Sequence, residues 1–432
     1  MIAPAYSCAV AIVAMVTLSA CGGGDAAQAS SPTPDAATQD DGGTADASGD
    51  APPIDATPDV EQDPNVYPAP HQPIPQVDNL GGPVLDHAKL VTVTFAGDAM
   101  RDAVRAYTHE ALTSVWWKKT IGSFGFADGT SGGDFELADT VSGRTIDDAD
   151  FTTYAKQAIM SGKLPTPDAQ TLFMFYLPPN TTMVVQGQVT CRDNGGYHSS
   201  FLMSFGGGDG GAVTSVDVAY AIIPRCFGSF QDATIAASHE IAEAATDPTS
   251  NSSYNLVSND AWIPILQGRS VGGEVGDLCS YMNYDESGYT VQRIWSNAAA
   301  AASKNPCQPA SKAYFGAAVR TTPRLVSGTK VDGHIAVPRG QHVDALIDFF
   351  SEAALPHDVT LDVGVPTDFG GIDPLPQGVT VSLSRTTAHN GNGIVMTLGA
   401  TSAATPASTR IVVRSTLDAS DFNDWPVILT VK

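Results

Sequence analysis

From Gly22 to about Val77 the chain has almost nothing to bury. Ala, Asp, Gly, Pro, Ser and Thr dominate this stretch, and large apolar residues are nearly absent. Such a segment cannot remove enough apolar surface from water to offset its conformational entropy, so it is predicted to stay disordered. Folding is thereby confined to the roughly 355 residues that follow, enough for two domains by ordinary length scaling. About 55 residues of flexible chain reach on the order of 40 Å, and mutually repelling aspartates lengthen that reach. Residues 21–77 therefore read as an acidic tether.

What the tether is tied to is suggested by the residues before it. Cys8 to Leu18 form an apolar run too short to span a bilayer, followed by Leu18-Ser19-Ala20-Cys21. A small-residue cleavage site after a short apolar segment is the pattern of a secretory signal. The obligatory cysteine makes it a lipobox, so residues 1–20 read as a lipoprotein signal peptide and Cys21 as the lipidated N-terminus. One feature departs from the pattern: the first Lys or Arg of the chain is Lys89, so no basic side chain precedes the apolar run. An ordinary signal with a chance cysteine is the alternative. Gly22 is compatible with delivery to an outer membrane. The expected location is the cell envelope, with the lipid anchored in the outer membrane or at the cell surface.

A formal net charge of −24 argues against nucleic acid and anionic lipid surfaces as partners, since both need clustered Lys and Arg. Beyond Cys8 and Cys21, four cysteines remain: Cys191, Cys226, Cys279 and Cys307. An even number in an exported chain reads as two disulfides. Proximity in sequence favours Cys191–Cys226 and Cys279–Cys307. A four-thiolate zinc site is the rival, disfavoured because no C-x-x-C pair occurs.

The first folded domain is expected over 78–310. Lys89–Ala96 alternates apolar and β-branched residues and predicts a strand. Ala99–Trp117 repeats apolar residues at helical spacing. Thr171–Leu177 is a nearly all-apolar strand suited to the middle of a sheet. Tyr197–Ser204 and Val216–Pro224 are further strands, joined through a glycine-rich Gly206–Gly211 turn that lacks the features of a phosphate cradle. Gly129-Thr130-Ser131-Gly132-Gly133 matches G-x-S-x-G. Without a strand before it or a helix after it, it reads as a glycine-rich loop and not a nucleophile elbow.

The chemistry concentrates in one segment. Ser229 and Asp232 suggest a helix start, and Ala233–Thr246 continues it until Pro248. His239 and Glu243, four residues apart, project from one face, and Asp247 continues that stripe. Glu240 stands about 100° around the axis. This H-E-x-x-E differs by one residue from the H-E-x-x-H of zinc peptidases. There, two ligands on one helical face hold the metal and the intervening Glu is general base. A carboxylate is an acceptable zinc ligand, so His239 and Glu243 are candidate ligands and Glu240 the candidate base. A third ligand is sought in the Gly272–Cys279 loop, pinned by the expected disulfide, with His198 a further possibility. A surface helix with solvated His239 and Glu243 is the alternative, but Ala and Ile make a poor solvated face. Asp247 at a helix C-terminus opposes the macrodipole. A metal, a hydrogen-bond donor or a local Asp-Pro turn would each explain it.

At these residues the chain resembles a known group. His239-Glu240-Ile241-Ala242-Glu243-Ala244-Ala245-Thr246-Asp247-Pro248, followed by Glu274-Val275-Gly276-Asp277-Leu278-Cys279, is similar to the exordium / phosphate-induced protein family, in a bacterial branch. Trp116-Trp117 and Cys191…Gly196-Tyr197-His198 fall in matching order, and the resemblance covers roughly 85 to 308. It implies a site built on the H-E-x-x-E helix and E-x-x-D-L-C, which ranks Glu274 and Asp277 above His198. It also implies a secreted, wall-associated protein with no settled enzymatic activity. The lipid anchor and the C-terminal domain depart from the family.

Residues 315–432 switch to short strands between Pro and Gly signals, and seven are predicted: His334–Val337, Val343–Phe350, Val359–Val363, Val379–Ser384, Ile394–Leu398, Arg410–Ser415 and Pro426–Val431. That pattern reads as an antiparallel, immunoglobulin-like β-sandwich. His342 and His389 read as surface residues. The expected whole is a disordered tether, a zincin-like α/β domain and an all-β immunoglobulin-like sandwich. Two functions follow: a zinc-dependent, peptidase-like hydrolase, or a non-catalytic envelope protein whose acidic stripe is structural or holds a cation while the sandwich binds wall polymer. Partners are the membrane through the lipid, and peptide substrate or cell-wall polymer.

Overall fold

The computed structural model describes residues 61–432 apart from 207–212, 250–251, 267–268, 271, 327–328 and 369. The signal peptide, Cys21 and the tether up to residue 60 lie outside the described residues, as does nearly all of the Gly206–Gly211 turn. Among the described residues no helix is long and apolar enough to cross a membrane.

Five strands make the first sheet: Lys89–Phe95 (β1), Thr130–Leu137 (β2), Thr171–Tyr176 (β3), Tyr197–Gly206 (β4) and Val213–Ile223 (β5), in the order β2-β1-β3-β5-β4. β2, β1, β3 and β5 run parallel, and β4 pairs antiparallel with β5 at one edge. β3 is central and every one of its residues is buried, as an uninterrupted apolar run requires when both faces of a sheet are covered. The coverings are helices. Arg101–Ala111 (α1) and Phe230–Thr246 (α4) pack with Leu90, Leu172, Met174 and Ala221 on one face. Asp148–Met160 (α3) packs with Val93, Phe173, Phe175 and Tyr220 on the other.

Three expectations about this part need correction. The single helix over 99–117 is two, α1 and Val115–Lys119 (α2). Ser114 Oγ accepts from Trp117 N at 3.0 Å, and the Glu286 carboxylate takes Val115 N and Trp116 N at 2.7 and 2.8 Å. Those acceptors satisfy the free N–H groups of a new helix start. The glycine-rich loop at Gly129–Gly133 is largely part of β2. Gly132 lies so close to β1 that a Cβ would stand 2.6 Å from Val91 Cγ2, so a glycine expected in a loop instead permits strand pairing. Residues 61–77, read as the end of a disordered tether, pack onto the fold. Ala69, Ile74 and Val77 are buried, and Ala69 N donates to Asn390 Oδ1 at 3.1 Å. A few apolar residues with backbone anchors were sufficient there.

A hairpin of Asn283–Glu286 (β6) and Tyr289–Gln292 (β7) lies across α4. Disulfides Cys191–Cys226 and Cys279–Cys307 both form, the pairing expected from proximity. They close separations of 35 and 28 residues, worth about 4 kcal/mol each in the chain-entropy model.

The rest of the chain is a sandwich of two sheets. Phe315–Val319 (β8), Gln341–Ser351 (β10), Val379–Leu383 (β12) and Gly393–Ala400 (β13) form one, in the order β8-β10-β13-β12. His334–Val337 (β9), Val359–Pro366 (β11), Ala407–Asp418 (β14) and Asp421–Val431 (β15) form the body of the other, in the order β9-β15-β14-β11. Ile347, Phe349, Met396 and Leu398 meet Ile411, Val413, Val427 and Leu429 in the core between them. The expectation of a wholly antiparallel sandwich is corrected at one pair, since β9 runs parallel to β15. β8, too short and Ala-rich to announce itself, was not anticipated. His342 and His389 are exposed. Trp262 joins the two parts of the chain, its ring edge-on to Trp295 and Trp425 at 5.6 and 5.1 Å.

Candidate metal centre

Helix α4 starts where Ser229 Oγ accepts from Asp232 N at 3.1 Å, a cap worth about 1 kcal/mol. Its alanines leave little side-chain bulk, so β5 and the β6–β7 hairpin approach closely. From Ala236 to Thr246 every residue is buried. His239 and Glu240 are 0% exposed and Glu243 1%, which rules out a solvated stripe. A buried charge needs a partner, because desolvation alone costs several kcal/mol.

The partners come from two other places. The loop preceding the single turn Asp277–Cys279 brings Glu274 and Asp277 over the helix, 1% and 0% exposed. His198, near the start of β4, enters from the sheet and is also buried. His239 Nε2 lies 3.0 Å from Glu243 Oε2 and 4.0 Å from Asp277 Oδ1. His198 Nδ1 lies 3.3 Å from Glu240 Oε2 and 3.5 Å from Glu243 Oε2, while its Nε2 is 3.6 Å from Glu274 Oε1. Donor atoms of His239, Glu243 and Asp277 fall within 4.8 Å of one another, and so do those of His198, Glu243 and Glu274. Glu243 belongs to both groups.

Several of these atoms have no protein hydrogen bond. Both carboxylate oxygens of Glu274, both of Asp277, Glu240 Oε1 and His239 Nε2 are buried without one. Such orphaned atoms are rare in folded proteins, and an ion is one of the recognised explanations. One imidazole with two carboxylates is also a donor set that zinc accepts. The residues therefore fit a divalent cation.

The charge balance agrees. Burial, then the neighbouring Glu240 carboxylate, pushes Glu243 up to about 8. Burial followed by the Glu243 charge raises Glu274 and Asp277 well above the usual carboxylate range. Burial pulls His198 down, but Glu274, Glu240 and Glu243 outweigh it and hold it up at about 10. Among themselves these groups are short of positive charge.

Asp247 is differently placed. Its carboxylate accepts from Ser252 N at 3.1 and 3.2 Å and from Ser252 Oγ at 3.1 Å. Of the explanations open in the sequence, a hydrogen-bonded turn after the helix is the one seen. Its carbonyl meets His198 Nε2 at 3.1 Å, which helps to orient that ring.

Two features were not legible in the sequence. Gln292, at the end of β7, sets the His239 ring: its Oε1 lies 3.2 Å from His239 Nδ1, and its Nε2 donates to Gly276 O at 2.7 Å. Gln292 is itself fixed by its backbone, through Ser238 Oγ at 2.8 Å and Trp116 Nε1 at 2.7 Å. A metal-binding histidine commonly has its second ring nitrogen held in this way. Gly196 is the other, since a Cβ there would meet Ile222 O at 2.9 Å and Glu240 Oε1 at 3.1 Å. His198, ranked below Glu274 and Asp277 by the family resemblance, stands beside them.

No family model matches the chain, and no curated protein matches it. Among solved structures it is similar to domains 4 and 5 of the S-layer protein SbsC, at 13% identity and TM-score 0.17, covering 28% of this chain and 48% of that one. It is similar also to domains 1–6 of SbsC, at 10% identity and TM-score 0.18, covering 42% of this chain and 22% of that one. A family 123 glycoside hydrolase from Clostridium perfringens matches at 11% identity and TM-score 0.18, over 28% of this chain and 27% of that one. The chain spans less than half the length of each, and at TM-scores this low nothing about fold or activity follows.

Proposed function

We propose that this chain is a lipid-anchored envelope protein whose α/β part is a zinc-dependent hydrolase of peptidase type. The observation that carries the reading is the pair of orphaned carboxylates, Glu274 and Asp277, closed over His239 and Glu243 in a buried cluster. His239, Glu243 and Asp277 would hold the ion. Zinc bound in such a site supplies Lewis acidity and brings the pKa of its water down to about 7.

The chain's own residues supply the remainder. Glu240, one position along α4 from His239, is the proton acceptor, with Oε1 unpartnered and Oε2 steadied by His198 Nδ1. Gln292 keeps His239 Nε2 directed at the carboxylates. The order of strands around an H-E-x-x-E helix beneath a mixed sheet favours a zincin-like arrangement, and the seven anticipated strands favour an immunoglobulin-like sandwich. The exordium-like run from His239 to Pro248 and from Glu274 to Cys279 supports the site as a unit. The Leu18–Cys21 lipobox and the two disulfides support export and a partner outside the cytoplasm, peptide or wall polymer.

One observation favours a second reading. Glu240 is 0% exposed, as suits a cation held for structure in a non-catalytic envelope protein. A broad peptide library incubated with the full chain, zinc-loaded, separates the two. Under the first reading wild type cleaves and Glu240→Gln loses at least a hundredfold in rate while keeping its metal. Equal rates, or no cleavage from a metal-replete wild type, leave only the structural cation.

A further inference from the structure

We propose that the cluster is a two-ion centre, with a second divalent cation held by His198, Glu243 and Glu274, and Glu243 bridging it to the first. The inference rests on the metal-binding part of the preceding reading and adds a site to it.

Three observations carry it. Glu243 Oε2 faces both imidazoles, at 3.0 Å from His239 Nε2 and 3.5 Å from His198 Nδ1. A carboxylate placed between two nitrogen donors is placed to bridge, with His198 Nε2 kept on the Asp247 carbonyl and Nδ1 exchanging its 3.3 Å contact with Glu240 Oε2 for the ion. Each of the two overlapping groups supplies one imidazole and two carboxylates, all buried and within 4.8 Å. Together with Glu240 the cluster offers two imidazoles and four carboxylates, the donor inventory of carboxylate-bridged two-metal centres in helical bundles.

Orphaned atoms are also found on both sides. A single ion at His239, Glu243 and Asp277 would answer the Asp277 oxygens and leave both Glu274 oxygens buried without a hydrogen bond, Oε1 having only the 3.6 Å ion pair with His198 Nε2. Charge argues the same way. Glu240, Glu243, Glu274 and Asp277 carry four negative charges when ionised. Among the described residues no Lys or Arg pairs with them; their ion-pair partners are His198 and His239. One divalent cation would leave two charges in a dry interior, of which a protonated His198 offsets one; two cations, with His198 a neutral ligand, leave none. Asp247 adds no vacant ligand, since Ser252 occupies its carboxylate. Two-metal hydrolytic sites hold their ions about 3.5–4 Å apart, a separation a bridging carboxylate spans.

The test uses the full chain, stripped with chelator and reloaded with manganese(II) or zinc(II). Metal per chain is measured by mass spectrometry after dialysis, and the manganese form by electron paramagnetic resonance. The expected result is two equivalents for wild type and an exchange-coupled manganese signal. His198→Gln, which keeps a polar side chain of similar bulk, is expected to hold one equivalent and give an uncoupled signal. One equivalent in wild type, unchanged in His198→Gln, overturns the two-ion centre while leaving the His239 site intact. No metal in wild type overturns both. Two equivalents with no coupling, or two retained by His198→Gln, place the second ion elsewhere and also overturn it.

Discussion

Gly276 leaves no room beside His239: a Cβ on it would stand 2.7 Å from Nδ1 and 2.8 Å from Cε1, and also 2.8 Å from Glu243 Oε1. The loop carrying Glu274 and Asp277 closes on α4 only because that position has no side chain. Gly276→Ala is expected to lift the loop, at about 1–3 kcal/mol for an overpacked interior. Zinc affinity should fall at least tenfold. Thermal unfolding with and without chelator, alongside a zinc titration, reads both effects. Unaltered affinity would mean that Asp277 is no ligand.

Gln292 acts through His239, and its removal should separate binding from stability. In Gln292→Leu the side-chain amide no longer holds Nδ1 or reaches Gly276 O. Metal affinity is expected to drop about 10–100-fold, the usual cost of losing such a support. Gln292→Glu, which keeps the acceptor, should recover much of it. If zinc titrations of the two variants coincide, the ring is not held by this contact.

The pH dependence has a definite sign. Glu243, raised to about 8 from 4.5, keeps in the folded chain a proton that the unfolded chain has already lost. Stability from this group therefore falls as pH rises from about 4.5 to about 8. Glu274 and Asp277 shift in the same direction. His198, held up at about 10 from 6.5, contributes fully below about 6.5, and that contribution is lost as pH climbs through 10. All four agree, so chelator-treated protein should weaken steadily between pH 5 and 10. With zinc the loss should be smaller, because the ion replaces protons and binds more tightly as they leave. Denaturant midpoints across that range decide it, and a chelated protein that gains stability from pH 5 to 8 contradicts the assignment.

The Cys279–Cys307 bridge ends the loop two residues after Asp277. Replacing both cysteines by alanine should cost about 4 kcal/mol in stability and, in addition, weaken zinc binding severalfold in chains that remain folded. Isothermal titration of the folded fraction tests the second effect. Full affinity without the bridge would show that the loop is held by packing alone.

Much of this centre was readable in the sequence because α4 carries its own signals. Ser229, the Ala-rich body, Pro248 and the four-residue spacing of His239 and Glu243 are all local, and local rules apply to them. Thr171–Leu177 was readable for the same reason, as an unbroken apolar run. Gln292 was not, since its importance depends on a hairpin folding across α4 and on an indole 176 residues away in sequence. Gly132 misled, because a glycine that allows two strands to approach looks like a glycine that turns a loop. Residues 61–77 misled in the opposite way: Ile74 and Val77 are few, but a fold already assembled offers them a surface to bury against.

An ion at His239, Glu243 and Asp277 is tested most directly by crystals of the full chain grown with zinc. Anomalous diffraction at the zinc edge is predicted to give a peak about 2.0–2.2 Å from His239 Nε2 and from carboxylate oxygens of Glu243 and Asp277. A zinc-soaked crystal with no anomalous peak among these three side chains would contradict it.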